Sequence, residues 1–397
     1  MILKLEQQTL AAEFNQLGIH PASEAIFLHK SEIIPLKLLH IRTPAANIIK
    51  QEMLACGGDC AIPAGCIVCA EERVDAILLG TRKHYARLLE KLAQMPYFGM
   101  ADIKSELADI LKKQLPQTIL ADGRTLTYDK MLVMGILNIT PDSFYAGSRV
   151  PQLEQVLERA GKMLEQGASV LDIGGESTRP GSDAVEAGEE QQRVVPVIKA
   201  LKERYPACVI SIDTYRAATA EAALSAGADI INDVTAMEGD AAMADLVVKS
   251  KAPIILMHMR GTPKNMQQNC VYKNVVTEVT AYLLQQAKLL EDCGIAREKI
   301  IFDPGIGFAK DVQQNLQLMQ GLKSLTGLGY PVLLAASRKS TIGSVLGGVL
   351  PEERLEGTIA TSCQAVYAGA QMVRVHDVQE NLRAIRMLEA ILCPSHI

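Results

Sequence analysis

Residues 131–174 read MLVMGILNITPDSFYAGSRVPQLEQVLERAGKMLEQGASVLDIG, and the changes of period within this stretch decide the fold. It opens with a short apolar run, 131–137. A polar loop follows with Asn138, Thr140, Asp142 and Ser143, then a helical pattern in EQVLERAGKMLEQGA, then a second apolar run at 169–173. Continuous apolar strands joined through a helix are parallel strands covered on both faces. The same rhythm recurs at 208–212, 228–231, 252–257, 299–302, 331–336 and 371–375. Eight such units over 131–397 predict a (β/α)8 TIM barrel, for which about 250 residues is typical. An open doubly wound sheet would carry a Gly-rich phosphate loop after its first strand, and NITPDSFYAGSR is not one.

The chain has 397 residues, enough for a second domain. Residues 1–125 predict a small α/β accessory domain, with helical patterns at 81–94 and 101–114 and a short apolar run at 74–79. The barrel takes 126–397, and the polar hinge LPQTILADGRTLTYDK, residues 115–130, precedes its first apolar run. A net charge of −5, no Trp and 4% aromatic residues argue against a nucleic-acid partner. No apolar run reaches membrane-spanning length and MILKLEQQTLAAEF does not resemble a signal peptide, so the expectation is a cytoplasmic protein without a membrane partner. Four of nine cysteines cluster as Cys56, Cys60, Cys66 and Cys69. Their spacing is not a standard zinc pattern, and core packing is the preferred reading over a metal module.

Each apolar run ends in chemistry. After the eight runs come, in order, Asn138 and Asp142; Asp172, Glu176, Thr178 and Arg179; Asp213; Asn232 and Asp233; His258 and Arg260; Asp303; Arg338, Lys339 and Ser340; Arg374, His376 and Asp377. On a barrel these ends form one rim, where active sites lie. A single Asp after a strand is usually a cap or turn former, but independent caps do not explain eight polar ends. Asp233 and Asp377 remain candidates for structural roles. Cations suit phosphate or carboxylate groups, and buried carboxylates beside an Asn suit a donor-rich heterocycle. The rim suggests a substrate with both.

The strings MGILNITPDSF, LDIGGESTRPGS, ISIDT, INDVT, LMHMRGTPKNMQ, IIFDPGIGF, SRKSTIG and RVHDV, in this order, resemble dihydropteroate synthase over the whole of 131–397. The resemblance implies a transferase of folate biosynthesis. It would condense 4-aminobenzoate with 6-hydroxymethyl-7,8-dihydropterin pyrophosphate, giving 7,8-dihydropteroate and pyrophosphate, with Mg2+ as cofactor. It implies a pterin pocket of Asp213, Asn232, Met257, Asp303 and Lys339, and a pyrophosphate site of Asn138, Arg374 and His376, with Asn138 also the metal ligand. Aminobenzoate would meet Pro141, Phe144, Thr178, Arg179, Phe308 and Ser340. Catalytic roles would fall to Asp142, Asp213, Lys339, Arg374 and His376, in a homodimer formed through barrel helices.

Two motifs depart from the family. SFYAGSR stands where SFSDGG is usual, so an acid of that loop is replaced, and AASRKS has Ala335 and Ala336 where Gly and a larger or hydroxyl residue are usual. The rival reading is a pterin-dependent methyltransferase acting with a corrinoid protein. It needs no pair of anion-binding loops, so STRPGS, SRKS and RVHD favour the synthase. A decayed, non-catalytic barrel is a further alternative, against which every position assigned to chemistry is filled.

Overall fold

The computed structural model describes residues 2–3, 5–112, 116–139, 149–176, 185–262, 266 and 270–393. It divides into two units, Met1–Gln114 and Leu115–Ile397.

In the first unit, β1 (Ile34–Arg42), β2 (Asp59–Ala61) and β3 (Arg73–Gly80) form an antiparallel sheet of order β1-β3-β2. Strand β3 alternates, burying Val74, Ala76 and Leu78, because successive side chains point to opposite faces. The helix Arg82–Leu92 starts after Thr81, whose N donates to His84 Nδ1 at 3.3 Å, and buries Tyr85, Leu88 and Leu92 at helical spacing. The helix Thr43–Cys56 stops at Gly57, whose φ of 92° is open to a residue without Cβ. Cys56, Cys60 and Cys66 belong to this core, whereas Cys69 is exposed. Burial pushes the Cys60 thiol up to about 11 and raises that of Cys66. Thiols held protonated are poor metal ligands and ordinary core residues. The nine-residue β1 is a strand that the sequence reading had not marked.

In the second unit, β4 (Gln117–Ile119) and β5 (Thr125–Thr127) form a hairpin. Eight parallel strands follow: β6 (Leu132–Asn138), β7 (Val170–Gly174), β8 (Val209–Asp213), β9 (Ile230–Asp233), β10 (Ile254–Met257), β11 (Ile300–Asp303), β12 (Leu333–Leu334) and β13 (Met372–Val375). Their order is β11-β10-β9-β8-β7-β6-β13-β12. A parallel bridge from Phe302 to Val332 joins the ends, with Phe302 N donating to Pro331 O at 2.8 Å. The sheet is therefore a closed barrel.

Alternation sorts its residues. Met134, Val170, Val209, Ile230, Ile255, Ile301, Leu333 and Met372 form one apolar layer inside the barrel, which Leu120, Leu126 and Tyr128 of the hairpin segment cover. Ile173, Ile210, Ile212 and Ile231 pack instead in the larger core with the helices. The segment 116–128 thus belongs to the barrel unit as its floor, rather than being a hinge.

Candidate active site

Counting two residues up from the apolar layer reaches Ile136, Asp172, Ser211, Asn232, Met257, Asp303, Ala335 and Arg374. On five of the strands the inward-facing line changes from hydrocarbon to polar groups within one repeat, at Asp172, Ser211, Asn232, Asp303 and Arg374. A further step reaches Asn138, Gly174 and Asp213, which sit level through the pairs Asn138–Gly174, Gly174–Asp213 and Asp213–Asn232. Gly174 leaves space: a Cβ there would lie 3.5 Å from the Asp213 Cβ and 3.7 Å from the Asn138 Oδ1.

Arg374 organises this layer. Its Nε donates to Asp172 at 2.5 Å and its Nη2 to Asp213 at 2.6 Å. Asn232 donates to both Asp172 oxygens at 3.3 and 3.4 Å. Two carboxylates hold the guanidinium well above its ordinary range, so it stays charged. Burial raises the Asp213 carboxyl against the pull of Arg374, and the nearby Asp172 charge adds to the rise.

Opposite stand β11 and the loop after β12. Asp303 accepts from Gly305 N at 2.7 Å, and burial raises its carboxyl while Lys339 pulls it back. Lys339 Nζ donates to Ile306 O at 2.5 Å and lies 4.7 Å from the Phe308 ring centroid. Burial lowers its ammonium to about 8, with Asp303 opposing. Met257, Met259, Met266 and Phe308 cluster as an apolar wall. His376 is lowered to about 4, by burial and then by Arg374 and Arg338, so its imidazole is neutral at pH 7. Ser337 Oγ accepts from His376 N at 3.2 Å and stands 3.0 Å from Nδ1. If the hydroxyl donates to Nδ1, Nε2 carries the proton. The rim counts His376 as a hydrogen-bond donor, not as a cation.

The structure brings Asn138, Asp213, Asn232, Met257, Asp303, Phe308, Lys339, Arg374 and His376 to one end of the barrel. Ser340 begins the short helix Ser340–Val345 on the same side. Pro141, Asp142, Phe144, Thr178 and Arg179, with the departures Tyr145 and Ala146, lie outside the described residues. Other polar strand ends are supports. Arg338 clamps Asp377 with two bonds of 2.9 and 2.6 Å, and Asp233 accepts from Thr235 and Met237. Arg260 stacks 3.9 Å from the Tyr272 ring centroid and pairs with Glu278. Sequence reasoning placed Asp172 on the rim without a specific role; it is fully buried and anchors Arg374. It also missed Arg216, which joins Glu176 to the buried Glu190, and Lys310. The signal for Glu190 was present: it shares a helix face with Val194, Val197 and Ile198.

A closed parallel barrel with this inward polar layer defines a barrel enzyme for a substrate with a heterocycle and an anion. The family model described as a pterin binding enzyme matches residues 134–376. The dihydropteroate synthase of Bacillus subtilis is 44% identical over 277 residues, covering 70% of this chain and 94% of its own. A Xanthomonas albilineans dihydropteroate synthase structure with 4-aminobenzoic acid has a TM-score of 0.65 at 40% identity, covering 70% of this chain and 99% of that one. A probable bifunctional folylpolyglutamate synthase/dihydropteroate synthase of Halobacterium salinarum is 40% identical over 351 residues, covering 88% of this chain. This chain spans only 42% of that relative, but the match is longer than Leu115–Ile397 and so enters the first unit. The chain belongs to the dihydropteroate synthase family.

Proposed function

We propose that this chain is a transferase of folate biosynthesis that joins 4-aminobenzoate to 6-hydroxymethyl-7,8-dihydropterin pyrophosphate. A C–N bond forms between the aryl amine and the exocyclic methylene. The methylene C–O bond breaks, and pyrophosphate and a proton leave. The observation that carries this reading is the sharing of one barrel end by a carboxylate–Asn–Lys set and Arg374.

In this reading Asp213, Asn232 and Asp303 accept ring N–H groups, Lys339 donates to ring acceptors, and Met257 lines the pocket. A two-pronged contact from a guanidine-like ring edge suits a carboxylate. Arg374 and a neutral His376 Nε2–H face the pyrophosphate and stabilise the charge that it gains as the C–O bond breaks. Asp213 stabilises the cation left on the pterin. The amine of aminobenzoate is neutral at pH 7 and attacks without a strong base, its ring against Phe308 and its carboxylate toward Ser340. Asp142, Pro141, Phe144, Thr178 and Arg179 complete the reading as loop residues that exclude water.

A magnesium ion fits one feature of the rim. Asn138 is exposed, its carboxamide makes no hydrogen bond among the described residues, and a hard cation accepts such an oxygen beside waters and phosphate. Bound there, the ion would neutralise charge on the leaving group. Dimerisation is supported by Tyr367, Met387 and Ile391, exposed apolar residues on the neighbouring barrel helices Leu355–Tyr367 and Val378–Leu392. Light scattering at micromolar concentration tests it, and a monomer rules it out. We also read the protein as cytoplasmic. Among the described residues no helix is long and apolar enough to cross a membrane.

The deciding experiment supplies both substrates and measures dihydropteroate and pyrophosphate together. Equimolar formation is expected. Methyl transfer to a corrinoid protein without pyrophosphate release would replace this reading.

A further inference from the structure

Lys310 has no part in the reaction described above, yet it is the least ordinary cation in the barrel. It is 2% exposed and no carboxylate touches it among the described residues; burial lowers its ammonium to about 7, with the Asp303 charge opposing. Its ammonium sits among acceptors instead: Phe308 O at 2.8 Å, His258 Nδ1 at 2.9 Å, Gly305 O at 3.0 Å and His258 O at 3.2 Å. An ammonium has three donors, so all of them are used. Burial and the Lys310 and Arg260 charges lower the His258 imidazole, which leaves Nδ1 able to accept.

The four acceptors come from two places, the end of β10 and the loop after β11. That loop is drawn in tightly: a Cβ on Gly305, at φ 69°, would lie 2.0 Å from His258 O. Its carbonyls point two ways, Gly305 and Phe308 toward Lys310 and Ile306 toward Lys339. Asn315 holds the outer side, accepting from Gly307 N at 2.8 Å and donating to Lys310 O at 3.2 Å.

We propose that Lys310 is a positioning residue for the aminobenzoate half of the site. Its ammonium holds the loop over the β10 end and so fixes the Phe308 ring. Asp213 and Asn232 stand on other strands and do not depend on it. The inference rests on the dihydropteroate synthase reading, and its test separates the two.

The test is steady-state kinetics of the full chain carrying Lys310→Met, which keeps the apolar stem and removes the ammonium. The KM for aminobenzoate should rise about tenfold while the KM for the pterin pyrophosphate changes less than about threefold. A folded variant with an unchanged aminobenzoate KM, or with both KM values raised equally, overturns the proposal. If Lys310→Met does not fold, His258→Phe decides. It removes one acceptor and keeps a ring, and the same selective rise of about threefold is expected. No selective rise there overturns the proposal as well. A wild-type chain that forms no dihydropteroate overturns the functional reading instead.

Discussion

Arg374 and Asp213 meet at 2.6 Å inside the barrel, and the same guanidinium reaches Asp172 on its other side. The cation assigned to pyrophosphate and an acid assigned to the pterin thus form one ion pair. Removing Arg374 leaves two buried carboxylates without their guanidinium, Asp172 keeping only the Asn232 amide. Arg374→Met should cost about 3–5 kcal/mol of stability, read by denaturant unfolding, as expected for breaking a buried pair. Wild-type stability would show that the pair is not buried in solution.

Asp213→Asn keeps the shape and removes the charge. Steady-state dihydropteroate formation should fall by about 10²–10³-fold, the cost of losing a group aimed at transition-state charge. Unaffected synthesis would remove Asp213 from the mechanism.

The same residue sets a pH dependence. The folded Asp213 carboxyl is raised, so folded protein holds a proton that the unfolded chain, with a value of about 3.9, has released. The contribution to stability is full below that unfolded value and is lost as pH rises through the folded one. Activity requires the ionised form, so log kcat/KM for the pterin substrate should fall as pH drops below neutral, where ordinary carboxyls remain ionised. His376, already neutral, should add no step near 6.5. A pH profile that stays flat from 7 to 5 contradicts the assignment.

Arg338 and Lys339 are neighbours with different duties. The Arg338–Asp377 clamp is partly exposed, and Arg338→Ala should cost about 1 kcal/mol. Pterin affinity by calorimetry should barely change. For Lys339→Met the order reverses: affinity drops while the melting temperature holds or rises, since a half-buried, partly desolvated ammonium is lost.

Each unit has its own core, so 115–397 should fold and keep activity. A fragment from 131 lacks Leu120, Leu126 and Tyr128 and uncovers the apolar layer at Met134, Ile255 and Leu333. It should be less stable than 115–397 by about 2–5 kcal/mol, the scale of large core deletions. Thermal melts of the two fragments make the comparison.

This floor is also where the sequence was read least well. LPQTILADGRTLTYDK looks polar and hinge-like, yet Asp122-Gly123 between TIL and TLT is a hairpin signal. The eight barrel strands were legible because buried parallel strands are continuous apolar runs, and observed boundaries lie within two residues of the expected ones. The rim was legible because each run ends in polar residues. What could not be read was direction: adjacent Asn232 and Asp233 look alike in a string. Only the pleat sends one inward to Asp172 and the other to a turn. Asp172 lies within an apolar run, and Lys310 contacts loops that only the fold brings together.

Strand β12 has two residues, and a single bridge from Phe302 to Val332 closes the cylinder beside it. Asp303 ends the strand on one side of this seam, and Lys339 follows the strand on the other. A pterin held by both would be a stitch across the weakest join in the barrel. Catalytic occupancy and mechanical closure would then be linked, and the enzyme at rest would be most easily pried open where it reads its substrate.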